Sequence, residues 1–402
     1  MQLTAAPHRM MFFAGMLAAA SSGLWWAVTL LGRALPVPSF LQVQVAPVWV
    51  HGWLMTWGLF GPFIFGFLFT TFPRWQNGPE PPKPAYATVF AMTVAALVLG
   101  FAGLYGDATL FFAAVTLQSF AWLAAWGVLL WVLLKAEKVV DHGTVAAVAL
   151  GVGAMAQLCF AIGFYTGNAT LMHTCLRAAL WGGLLPLVYA VIHRMLPFFS
   201  QGPIPGYVLW RPRWLLFVVA GLFYAHLALA IAGHYEALWL ADLPLALLTL
   251  WGGLRWQAWK SRGTPMLWTL YVAYFWLPIG LLLQAGADLS YALTGDWLLG
   301  RAPLHALAIG FLASLVVAMA TRVTLGHSGR RLWMDRFTVA CFLAVQLAAV
   351  LRVASELVIP VAPEWFLGLA IASVLAWVGG LLPWAWRYGR IYLAPRIDGK
   401  PG

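Results

Sequence analysis

The sequence predicts an all-α protein, a bundle of about twelve helices that cross a membrane, and three observations lead there. Hydrophobic residues make up 63% of the 402 positions and charged residues only 9%, more apolar surface than one soluble core can hide. The apolar residues fall into runs of roughly 20, enough to cross about 30 Å of hydrocarbon as helix. Lys and Arg collect in every second connection, the pattern of a chain that alternates between two sides of a bilayer. With Gly 39, Pro 24 and Trp 24, disorder and a collagen-like rod are excluded. Three scattered cysteines make no disulfide framework.

The first span, 11–31, follows Arg9 and passes small residues near Ala20 that could mimic a cleavage site. Its hydrophobicity continues through Trp25 and Trp26 to Leu31, so it reads as a retained helix rather than a signal peptide. The remaining spans are expected at 46–72, 85–105, 109–134, 144–166, 170–196, 214–233, 237–256, 266–287, 302–324, 336–358 and 364–388. Pro and Gly punctuate their connections: five prolines lie from Pro73 to Pro84 and four from Pro197 to Pro212, while Gly326 and Gly329 flank a short polar turn.

Basic residues orient the bundle. Arg74 and Lys83 follow the second span, Lys135 and Lys138 the fourth, and Arg194, Arg211 and Arg213 the sixth. Arg255, Lys260 and Arg262 follow the eighth, and Arg322, Arg330, Arg331 and Arg336 the tenth. The odd connections carry only Arg33 and Arg301. Arg9 at the front and Arg387, Arg390, Arg396 and Lys400 at the back share the basic side, so both termini are expected in the cytoplasm. This distribution accounts for the net charge of +11 without nucleic acid as a partner. The chain reads as a single transmembrane domain, 1–402. The longer basic loop at 197–213 is the one candidate divide, into six-helix halves 1–200 and 210–402.

Ionisable groups inside spans cost about 2.5 kcal/mol or more at the bilayer centre unless paired or solvated, so they mark function. His8, His142, His193 and His327 fall at cytoplasmic ends. His51, His173 and His305 instead enter the second, sixth and tenth spans within a few residues of their outer ends, and His226 and His234 approach that surface from the seventh. At about 1.5 Å per residue, the first three share a thin layer. Facing one interior, they would offer the imidazole nitrogens that haem iron, copper or zinc takes. An isolated interfacial histidine more commonly bonds a carbonyl or water. Arg177, one turn from His173, and Arg301 would suit haem propionates, although Arg301 also reads as an interfacial anchor. Arg352 and Glu356 stand at i, i+4 and neutralise each other; a proton-path role for Glu356 or Asp242 is the lesser reading. Trp49, Trp53 and Trp57 recur every four residues and could line a planar cofactor, while interfacial anchoring explains the first two as well. No Walker loop, dinucleotide fingerprint, HExxH or serine-hydrolase elbow is present.

Four stretches carry a resemblance: Leu304–Leu332 above all, then Gly66–Trp75, His193–Ser200 and Leu267–Ala285. They are similar, in order and over nearly the full length, to segments of the NnrS family. The resemblance implies a twelve-helix protein of the bacterial inner membrane that binds haem, of the b type, together with copper. It further implies a role in withstanding nitric oxide and nitrosative stress, commonly beside denitrification. By the same resemblance His51 falls on the first histidine of a Trp-His-x-His-Glu pattern, and His305 and His327 on the two histidines of the tenth-span signature; Arg194, Pro197, Thr321, Arg322 and Gly326 also match. Val50, Trp53 and Leu54 replace the pattern's Trp, second His and Glu, His193 stands where glycine is usual, and a histidine often found near Ala161 has no counterpart. Half of the polar set at the second span is therefore missing, which puts copper in question.

The expected cofactor-binding residues are His51, His173, Arg177, His226 and His305, with His51, His173 and His305 as metal ligands. His327 lies some 30 Å from His305 by helix rise, about 1.5 Å per residue, and reads as part of a helix-ending turn capped by Gly326. The expected small-molecule partner is nitric oxide, the environment a lipid bilayer, and any electron donor is unspecified. Three other classes compete, one of them a non-catalytic assembly or sensing partner. A haem–copper oxidase-like nitric oxide reductase subunit would need an adjacent His pair and a His-x-His motif, both absent. A transporter or channel with a His-lined path would fit helices broken near Gly61-Pro62 and Gly182 to Pro186.

Overall fold

The computed structural model describes residues 2–35 and 43–399, so Lys400 lies outside the described residues. Among them are twelve helices long and apolar enough to cross a membrane: α1 Pro7–Leu31, α2 Pro47–Gln76, α3 Lys83–Tyr105, α4 Ala108–Leu134, α5 Asp141–Thr166 and α6 Ala169–Ser200. They continue as α7 Arg213–Ala232, α8 Tyr235–Arg255, α9 Pro265–Thr294, α10 Ala302–His327, α11 Arg336–Leu357 and α12 Trp365–Leu393. This is a multi-pass membrane protein. Residues near mid-helix such as Phe120, Val148, Leu247 and Leu347 are about half exposed, as expected where lipid rather than water is the neighbour.

The helices overrun the hydropathy estimate where polar residues extend them. Residues 73–76 belong to α2, with Pro73 inside the helix, and Asn77 ends it in the left-handed region at φ 46°. The Gln76 side chain accepts from the Val140 backbone N–H at 2.7 Å and so ties that end to the start of α5. Pro197 likewise lies inside α6 rather than in the following loop. Gly326 is not the cap of α10: the helix runs through it to His327, and Gly329 supplies the positive φ of 74°.

The chain forms two compact units. The first comprises residues 1–187, 327–330 and 385–402. Its helices pack as consecutive hairpins, α3 on α4, α4 on α5 and α1 on α2. Small residues permit the closest approaches, since a side chain at Gly103 would overlap the Phe111 backbone. Indoles staple the core: Trp57 Nε1 donates to the Gly153 carbonyl and Trp126 Nε1 to the Ala147 carbonyl, both at 3.0 Å. Buried Arg9 donates to the carbonyls of Gln2 at 2.9 Å and Ala394 at 3.0 Å, joining the first turn of α1 to the segment after α12.

The second unit comprises residues 188–326 and 331–384. Here α8 packs on α9, α7 on α8, and α10 on both α9 and α11. Trp276 Nε1 donates to Gln346 Oε1 at 2.8 Å, and the Gln346 amide passes on to Ser314. Tyr274 donates to the Thr249 carbonyl at 2.6 Å and Trp384 Nε1 to Thr321 at 2.8 Å. Arg352 pairs with Glu356 at 2.5 Å, as their i, i+4 spacing predicts, and Glu356 also accepts from the Arg301 backbone N–H at 3.1 Å.

Candidate functional site

Three helices are interrupted by π turns: α2 at Leu54–Leu59, α6 at Ala179–Leu184 and α10 at Ala306–Ala313. Two have a local cause. Pro62 and Pro186 lack the N–H that would serve the carbonyls of Gly58 and Gly182, and widening the preceding turn re-partners the freed groups. In α10 no proline follows, and the Ser314 hydroxyl donates back five residues to the Ile309 carbonyl at 3.1 Å. These are also the three most buried of the twelve apolar windows, at 83%, 72% and 72%. They are the helices that carry His51, His173 and His305. Single π turns inside α-helices recur at functional sites.

In the first unit, α2 and α6 cross where Gly52 meets the Leu176 side chain. His51 and His173 both belong to this crossing. The His51 ring stacks on Trp26 of α1 with centroids 3.9 Å apart, and His173 meets Trp49 edge-on at 4.6 Å. Arg177, one turn beyond His173, is exposed, as is His173 itself. Trp53, in the place where the resemblance expects a second histidine, lines a small cavity with Gly58 and Gln118. Among the described residues, its buried indole N–H and the Gln118 amide nitrogen have no hydrogen-bond partner. An indole offers no lone pair, so this position ligates no metal.

In the second unit, His305 Nδ1 lies 2.9 Å from the carbonyl of Arg301, one turn back on α10. A ring nitrogen facing a carbonyl carries the proton, which leaves Nε2 with the lone pair. Deeper in the same unit, His226 of α7, Asp242 of α8 and Asp288 of α9 converge, all buried, with one ligand atom from each within 4.8 Å of the others. His226 Nδ1 is 2.9 Å from both Asp242 oxygens. Gln284 donates to the two Asp288 oxygens at 3.0 and 3.1 Å, and the Trp297 indole N–H reaches Oδ1 at 3.4 Å. Of the histidines expected to ligate, none belongs to this trio; His226, expected as a cofactor contact, does.

The sequence reading did not join Asp242 and Asp288 to His226, although part of the signal was present. His226 and Asp242 each stand eight positions from His234 in the turn between α7 and α8, so a helical hairpin sets them at one height. His327 is another surprise. In the first unit its ring lies 4.5 Å from that of buried His8, centroid to centroid, a pair that no spacing announces.

A family model described as NnrS protein matches residues 2–396. The chain belongs to the NnrS family. No individually curated protein matches it. Membership suggests a membrane protein of the nitric oxide response, and the family is associated with metal and haem binding. The donor chemistry at His305 fits such a group: with Nδ1 donating to the Arg301 carbonyl at 2.9 Å, Nε2 of the neutral ring would be the nitrogen to hold it.

Proposed function

We propose that this NnrS protein is a haem-binding protein of the bacterial inner membrane, both termini cytoplasmic, that binds or turns over nitric oxide and so protects against nitrosative stress. The family match over residues 2–396 carries the reading. It is supported by the π turns beside His51, His173 and His305 in the three most buried helices. His305 would hold haem through Nε2, with the Arg301 carbonyl fixing its tautomer. Trp26 and Trp49 hold the rings of His51 and His173, which offer further nitrogen donors for haem or copper. Arg177, one turn from His173, and Arg301, one turn from His305, are the cations whose chemistry suits a propionate. When bound, haem supplies an iron at which nitric oxide coordinates; the chain supplies oriented donors and a largely apolar surround. Turnover would draw electrons from a separate donor.

The test is the optical spectrum of purified, detergent-solubilised protein from haem-replete cells. A Soret band that shifts on adding nitric oxide is expected, weakened or lost in His305→Ala or His51→Ala and retained in His327→Ala. A colourless preparation overturns the reading, and solute uptake into liposomes without any chromophore would put a transporter in its place. Equal loss in all three variants would remove the special role of His51 and His305.

A further inference from the structure

We infer that His226, Asp242 and Asp288 form a binding site for one divalent metal ion of borderline hardness, of the Zn²⁺, Mn²⁺ or Fe²⁺ class, separate from the haem reading above. The three side chains come from three different helices of the second unit, and each is buried. Such convergence inside an apolar bundle is costly unless something offsets the charge, because two carboxylates in hydrocarbon repel each other and find little solvent. Among the described residues, Asp242 pairs with His226 and lies within hydrogen-bond reach of Asp288, which also accepts from a neutral amide and an indole. A dication with two carboxylates and one neutral imidazole makes a set with no net charge. Without an ion, neutrality needs both an imidazolium and a proton shared between the two carboxylates.

The spacing suits the same occupant. Ligand atoms held about 2.0–2.2 Å from one ion lie roughly 3 Å or a little more apart, and the His226 nitrogen is 2.9 Å from both Asp242 oxygens, with the whole set inside 4.8 Å. Gln284 and Trp297 donate to Asp288 and would orient it as outer partners. The donor types select the class of ion. One nitrogen with carboxylate oxygens suits zinc, manganous or ferrous ions; it lacks the sulfur that soft Cu(I) favours. Haem iron, whose equatorial positions the porphyrin fills, has no use for two carboxylates in one shell.

The experiment uses full-length protein in detergent, dialysed to equilibrium against Zn²⁺ and, separately, Mn²⁺, with metal per chain and the Soret band measured on the same sample. One equivalent of retained metal is expected for the wild type. Asp242→Asn and Asp288→Asn, near-isosteric changes, should weaken retention at least about tenfold while any Soret band and the gel-filtration profile stay unchanged. No retained equivalent in the wild type at micromolar free ion, or equal retention in both variants, overturns the site. Should the variants not fold, the wild-type stoichiometry still decides. Failure of the haem reading would instead show as a missing Soret band beside intact metal binding.

Discussion

Replacing Glu356 by alanine should be among the most destabilising single changes outside the candidate sites. The carboxylate pairs with Arg352 at 2.5 Å, and the two side chains are only 7% and 15% exposed. Removing it leaves a guanidinium with its hydrogen bond to Ser355 but no counter-charge, and breaking a buried pair from one side costs about 3–5 kcal/mol. The Arg301 N–H also loses its acceptor, but Arg301 is exposed and solvent substitutes, so little is added. The assay is unfolding in mixed micelles, with helical signal followed against denaturing detergent. Glu356→Ala should lower the unfolding free energy by about 4 kcal/mol. Arg352→Met combined with Glu356→Leu should restore most of it, because neither charge then needs compensation. A cost below about 1 kcal/mol for the single change, or a double variant as unstable as the sum of its parts, would refute the argument. Either result would also revive a proton-carrying role for Glu356.

Two other predictions test local causes. Asp107 caps α4 by accepting from the Thr109 N–H at 2.8 Å, and these bonds hold its carboxyl below the ordinary 3.8. Since the folded value is the lower one, the cap contributes fully above the unfolded value and is lost as pH falls through the folded one. Amide exchange in the first turn of α4 should therefore accelerate only below about pH 4, and Asp107→Ala should abolish that dependence; acceleration already at pH 6 would contradict it. At the crossing of α2 and α6, Gly52→Leu would collide with Leu176 and should cost about 1–3 kcal/mol in the same unfolding assay. Adding Leu176→Ala should recover part of it, and no recovery would mean that the two helices do not meet there.

The twelve spans were legible because a helix facing lipid must be apolar all round, a signal that needs no partner. Their ends were less so. Pro73, Arg74 and Gln76 read as loop, yet they continue α2, because a helix leaving hydrocarbon keeps its own hydrogen bonds whatever the polarity of its side chains. The breaks in α2 and α6 were visible in Gly61-Pro62 and Gly182 to Pro186; that in α10 was not, since Ser314 rather than a proline stands beside it. Within the candidate sites, His226 and Asp242 were recoverable from a shared turn. Asp288 and the pairing of His8 with His327 depend on packing between helices far apart in sequence, and periodicity within one helix carries no information about its neighbours.

The π turns have a further consequence. An i to i+5 turn holds one residue more than the α turn it replaces, and each helical residue advances the side chains by about 100° around the axis. In α2, Leu54–Leu59 stands between His51 and the tightly packed run that begins at Phe60. The histidine end of the helix is thereby out of phase with the rest. It can present its imidazole in a direction that a continuous helix, locked by the packing of its other half, would forbid.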